Sequence, residues 1–139
     1  MFARYYKDLH IHVTHGDITT RDGITKENIL ESNVNEVESN AVNSHLTKEL
    51  FSAVIHIMDT DGAYVDNAHV VEDLTKDEVF YLPTEMRTKD KHGIEKRNLQ
   101  KRENLNRMIG KKDLWFIPYN VYYANTVAAE PPVRNSESH

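Results

Sequence analysis

Apolar and polar residues alternate over residues 5–14, where Leu9, Ile11 and Val13 are interleaved with His10, His12 and Thr14. A period of two predicts a strand, with His15-Gly16-Asp17 as the turn after it. Over residues 25–51 the period lengthens. Ile29, Leu30, Val34, Val37, Ala41, Leu46 and Leu50 approximate one helical stripe, with Thr25 as N-cap and Glu27 in the first turn. Five asparagines in this stretch have poor helix propensity, which predicts two helices broken near residues 40–44.

Residues 51–58 form an apolar run in which Val54, Ile55, Ile57 and Met58 face both ways, as in a central strand covered on two faces. The run ends in Asp59-Thr-Asp-Gly-Ala-Tyr. Residues 66–92 read mostly as loop, a length associated with functional lids or mobile segments. The composition of residues 95–109 predicts a helix with Gly110 as C′, docking through Leu99, Leu105 and Ile109 while Lys96, Arg97, Lys101 and Arg107 project outward. A last strand over residues 114–124 is broken or placed at an edge by Pro118. The order of elements predicts a small α/β layer fold: a three- to four-stranded, mostly parallel sheet with flanking helices, in one domain over residues 1–124. Residues 125–139 are expected to be a disordered tail.

Composition narrows the chemistry. The chain has 139 residues, 39% hydrophobic and 28% charged, and no cysteine, so thiolate catalysis, disulfides and cysteine-ligated zinc are excluded. No apolar run approaches a membrane span and none resembles a signal-peptide core, so a cytoplasmic protein without membrane contact is expected. The net charge of −5 is unevenly spread. Residues 87–112 carry ten Lys or Arg against Asp90, Glu95 and Glu103, a net +7 that leaves −12 elsewhere. A basic face on an acidic body suits a phosphate backbone or an acidic protein partner, and a solvated charged helix would read the same way.

Two carboxylates one residue apart at a strand end can share a divalent cation. Asp59 and Asp61 are therefore candidate metal ligands and catalytic residues, and the rule that ligands bind at the carboxyl ends of strands sets Asp17 beside them as a third ligand. The expected ion is Mg²⁺ or Mn²⁺. A hairpin competes with this reading, because Asp61-Gly62 is a favoured type I′ pair that would set Ile57 and Asp59 against Ala63 and Val65.

Two resemblances bear on function. Asp8-Leu-His-Ile-His12, with Asp17 downstream, resembles the opening motif of the PHP phosphoesterases over residues 8–25, which implies His10 and His12 as alternative metal ligands. The strand ending in Asp59-Thr-Asp-Gly-Ala-Tyr, the basic helix and the Pro-Tyr-Asn-Val-Tyr-Tyr strand, together spanning residues 51–124, resemble small bacterial and phage proteins with a TOPRIM-like core. That resemblance implies magnesium-dependent phosphoryl transfer on nucleic acid, with Asp59 and Asp61 matching the Asp-x-Asp motif. His15-Gly16-Asp17 stands where the family has a glutamate, and the chain ends soon after Tyr123, which implies a shortened, catalytically inert version. The expectation from another class is a non-catalytic, phage-encoded anti-defence factor that binds a host or defence protein through its charged faces. A PHP-like metallophosphoesterase fragment is the third.

Overall fold

The computed structural model describes residues 11–14 and 16–124. His10, most of the first expected strand and the C-terminal tail lie outside them. Residues 11–14 form no strand; His12 instead reaches Glu36 at 3.4 Å.

The first helix, α1, spans Ile29–Asn43. Thr25 is not its N-cap. Asn28 occupies that place, and its side chain turns back to accept from the Thr25 N–H at 2.8 Å and to donate to the Gly23 carbonyl at 2.8 Å. The expected break does occur: Ser44 caps the helix, His45 takes a φ of +57°, and a 3-10 turn over Lys48–Leu50 comes next. The second helix, α2, spans Lys91–Ile109 and starts where the Asp90 carboxylate accepts from the Gly93 N–H at 3.0 Å. Gly110 ends it with φ −73°, inside the right-handed region, so no left-handed C′ glycine is used.

The strands form two small mixed sheets. In the first, β1 (Val54–Asp59) runs parallel to β6 (Ile117–Ala124), which pairs antiparallel with β5 (Asp113–Leu114). In the second, β2 (Val70–Glu72) runs parallel to β4 (Met86–Thr88), which pairs antiparallel with β3 (Phe80–Tyr81). Residues 66–92 are thus not mainly loop. Their strands are two or three residues long, too short to show a period.

Two further expectations change. β1 is an edge strand with one covered face: Val54, His56 and Met58 are part-buried, while Ile55 and Ile57 are 56% and 78% exposed. The break in the last strand comes at Trp115 and Phe116, both at positive φ, and Pro118 is tolerated because β1 begins pairing only at Tyr119. Lys48 lies over the exposed Phe116 ring at 4.5 Å from its centroid.

Each sheet has its own core. Ile18, Ile29, Met108, Leu114, Tyr119 and Val121 pack beside the first; Val65, Val70 and Met86 form the second, with Val79, Tyr81 and Ile94 against them. Helix α2 contributes Met108 to one and Ile94 to the other. Among the described residues no helix is long and apolar enough to cross a membrane.

Candidate functional site

Asp59 is the last residue of β1, so its backbone leaves the sheet where the parallel strands end. The segment after it is not a hairpin. Ala63 N–H donates to the Thr60 carbonyl at 2.9 Å and Val65 N–H to the Gly62 carbonyl at 3.0 Å, closing two successive tight turns with no strand returning along β1. The buried Thr60 locks this loop to β6, donating from both its N–H (2.9 Å) and its hydroxyl (3.1 Å) to the Ala124 carbonyl. Asp61 takes φ +48°, a left-handed conformation that aspartate tolerates better than most residues. Its N–H donates to Asp59 Oδ1 at 3.2 Å.

Asp17 arrives from the other side. Gly16, at φ +72°, makes the left-handed turn that a side chain would oppose. Asp17 then caps the 3-10 turn Ile18–Thr20, accepting from the Thr19 N–H at 2.9 Å and the Thr19 hydroxyl at 2.5 Å. Helix α2 holds this segment through three polar side chains: Gln100 donates to the carbonyls of Arg21 and Ile24, each at 3.0 Å, Asn104 donates to that of Thr19 at 2.9 Å, and Lys101 donates to the Asp17 carboxylate.

Lys101 departs most from its expected position. It does not project outward; it is 1% exposed and lies between three acceptors, the Asp17 carboxylate, the Thr19 hydroxyl at 3.2 Å and Asp61 Oδ2 at 3.3 Å. The spacing of Ile94, Asn98, Lys101, Leu105 and Met108 explains this, because steps of four and three residues follow the inward face of a helix. Burial raises the Asp17 carboxyl, but the bonds from Lys101 and Thr19 and the lysine charge outweigh it and hold that group below the ordinary carboxylate range.

Asp17, Asp59, Asp61 and Lys101 line one cleft of about 290 Å³ together with Thr14 and His56. His56, on the covered face of β1, is not singled out by the sequence pattern. Its Nδ1 lies 3.1 Å from the Tyr119 hydroxyl on β6. Burial holds the imidazole below its ordinary value, against the pull of Asp17 and Glu36, and burial also raises the Tyr119 phenol, which stays protonated at neutral pH.

The remaining basic candidates are mostly engaged within the chain. Arg97 donates to the Tyr81 hydroxyl at 3.1 Å, Arg102 to the Ala63 carbonyl at 3.0 Å, Arg87 pairs with Asp73 and Glu85, and Lys91 with Glu95. Lys96 and Arg107 are exposed on the opposite side of α2 from Lys101, so the expected set of four does not form one surface. Of the alternative histidines, His12 is exposed beside Glu36 and does not line the cleft, and His10 lies outside the described residues.

The donor set at the cleft is made of carboxylate oxygens, the chemistry that Mg²⁺ and Mn²⁺ take. Among the described residues no three acidic or imidazole side chains already converge on one point, because the Lys101 ammonium stands between Asp17 and Asp61. Asp17 and Asp61 are both paired with Lys101, whereas Asp59 lines the cleft and accepts only from the Asp61 N–H. Compared with known protein families, curated proteins and solved structures, the chain matches none.

Proposed function

We propose that this chain is a TOPRIM-like domain for divalent-metal-dependent phosphoryl transfer on a phosphodiester, with nucleic acid as the substrate class. The observation that carries the reading is the charge of the cleft. Three carboxylates, Asp17, Asp59 and Asp61, line it with one buried ammonium, Lys101, which pairs with Asp17 and Asp61 only, so two negative charges are left among these side chains at the end of a parallel strand pair. One divalent cation on Asp59 and Asp61 balances them. When bound, such an ion supplies charge neutralisation at a phosphoryl oxygen and a more acidic water. Lys101 acts as a fixed positive charge that orients Asp17 and Asp61. The left-handed Asp61 supports the same reading, since non-glycine residues in sparsely populated conformations cluster at functional sites.

The test uses the metal first. Mn²⁺ at about 100 times its Kd raises the stability of the parent by about 2.7 kcal/mol, and Asp59→Asn removes that rise without disturbing Lys101. The parent cleaves DNA or RNA with Mg²⁺ or Mn²⁺, and Asp59→Asn does not. A parent melting curve that millimolar Mn²⁺ leaves unchanged overturns the metal site.

A second reading rests on a different observation. Ile55, Ile57 and Tyr122 are exposed on the outer face of the first sheet, and Phe116 stands at its end. Such a patch favours a protein partner, the role of a phage-encoded interaction protein. It is supported if the parent binds such a partner, shows no cleavage with either metal, and loses partner binding on Ile57→Lys.

A further inference from the structure

We infer that His56 is the proton-transfer residue of the cleft, held in place by Tyr119. This rests on the phosphoryl-transfer reading and adds to it a group that no carboxylate of the site supplies. Four observations carry it. His56 is one of the residues lining the cleft that holds Asp59, Asp61 and Lys101. Its Nδ1 is engaged by the Tyr119 hydroxyl at 3.1 Å, and the two rings meet edge to face with centroids 6.4 Å apart, which holds the ring plane and makes Nε2 the nitrogen left to exchange a proton. The residue belongs to β1, a strand rather than a loop, on the covered face with Val54 and Met58, so packing against the first core sets its place. The carboxylates already have other work: Asp17 is bonded to Lys101 and Thr19, Asp61 is paired with Lys101, and Asp59 accepts from the Asp61 N–H.

The charged and titratable groups facing the ring from every side are Asp17 before the 3-10 turn, Glu36 on α1, Lys101 on α2 and Tyr119 on β6. Asp17 and Glu36 favour the imidazolium; burial and Lys101 oppose it, and the ring is neutral at pH 7. The base is the tautomer that donates Nδ1–H to the Tyr119 oxygen, in which the neutral imidazole presents Nε2 as an acceptor. In the step, the oxygen of water forms a bond to phosphorus as Nε2 takes its proton. The bond from phosphorus to the leaving oxygen, on the opposite side of phosphorus, breaks with its electron pair; that oxygen takes a proton from a solvent water, and the imidazolium gives its own proton back to solvent. Phosphodiester and water become phosphomonoester and alcohol, and His56 ends neutral.

The experiment follows the ring and the metal separately on the full chain. In histidine-labelled protein, with His56→Gln to assign the resonance, the ring titrates below the ordinary histidine range. Adding Mg²⁺ with inorganic phosphate raises its midpoint by about one pH unit, because a bound anion favours the imidazolium. His56→Gln keeps the Mn²⁺-induced rise in Tm and loses about 10²- to 10⁴-fold in cleavage, the range for general acid–base catalysis. Tyr119→Phe keeps the ring but frees it, and moves the acidic limb of the pH–rate profile. If Mn²⁺ stabilises the parent while phosphate leaves the His56 resonance unmoved, or if His56→Gln cleaves like the parent, the proposal for His56 is overturned and the metal site stands. A ring that answers phosphate in a chain that Mn²⁺ does not stabilise keeps His56 and removes the metal. Silence in both overturns both. Should His56→Gln fail to fold, an unchanged pH profile in Tyr119→Phe overturns the anchored ring.

Discussion

Lys101 and Asp17 lie 84 positions apart in the sequence and meet as ammonium and carboxylate at the mouth of one cleft. Because Lys101 is almost fully buried and also serves Asp61, the pair fastens α2 to both acidic segments at once. Removing the cation leaves two carboxylates facing each other with no counter-charge between them.

Lys101→Met is therefore expected to cost about 1–3 kcal/mol, since the cation is almost fully buried but Asp17 and Asp61 keep about a third of their side-chain surface in water. For a chain of this size that is a fall in Tm of up to about 10 °C. Asp17→Asn costs less, since Lys101 keeps Asp61. The double variant should lose less than the sum of the two single losses, and strict additivity in urea titrations would sink the claim that the pair is coupled.

Two of the shifted groups, His56 and Asp17, act in different pH windows. The folded His56 is held below its ordinary value, so the unfolded chain binds the extra proton first. Its contribution to stability is complete above roughly pH 6.5 and declines as pH falls through that value. The folded Asp17 is also held low; its contribution is complete above roughly pH 4 and is lost as pH falls through the folded value. Urea unfolding at about pH 7.5, 5.5 and 3, values that bracket the two windows, checks this. His56→Gln should flatten the change between the first two, and Asp17→Asn only the change between the last two. Equal slopes in all three proteins would contradict it.

A third expectation concerns the turn that carries Asp61. A Cβ at Gly62 would overlap the Met86 sulfur and come within 2.6 Å of its Cε, with Asn98 Oδ1 at 3.3 Å. Met86 is fully buried in the second core and can yield only by displacing its neighbours. Gly62→Ala should cost about 1–3 kcal/mol, as overpacking does. Trimming the clash with Met86→Ala in the same chain should return part of it, and two losses that simply add would show that the methionine is not the obstacle.

The legibility of these features depends on their length and spacing. β1, β6 and α2 are readable in the sequence because each is long enough to show a period, although α2 starts at Lys91, four residues before the expected position. β2, β3 and β4 are not, since two or three residues carry no alternation and their pairing is set by Val70, Met86 and the other residues beneath them. Asp59 and Asp61 are legible as a strand-end pair, and Asp17 as the turn residue beside them. Lys101 is misread because composition counts a lysine as solvent-facing, whereas its position seven residues from both Ile94 and Met108 is that of an inward residue. His56 is hidden within an apolar run, and only its pairing with Tyr119, across the sheet, gives it a role.

The way α2 joins the two cores has a kinetic side. With Met108 in one core, Ile94 in the other and Lys101 between them, the helix cannot detach from one sheet while the other stays packed. Its central amides should exchange with solvent only through global unfolding, whereas those of β3, two residues long at a sheet edge, should exchange by local opening. Through Lys101 the slowest-exchanging helix should then hold Asp17 and Asp61 in place, while Asp59, at the end of an edge strand, is left to open with it.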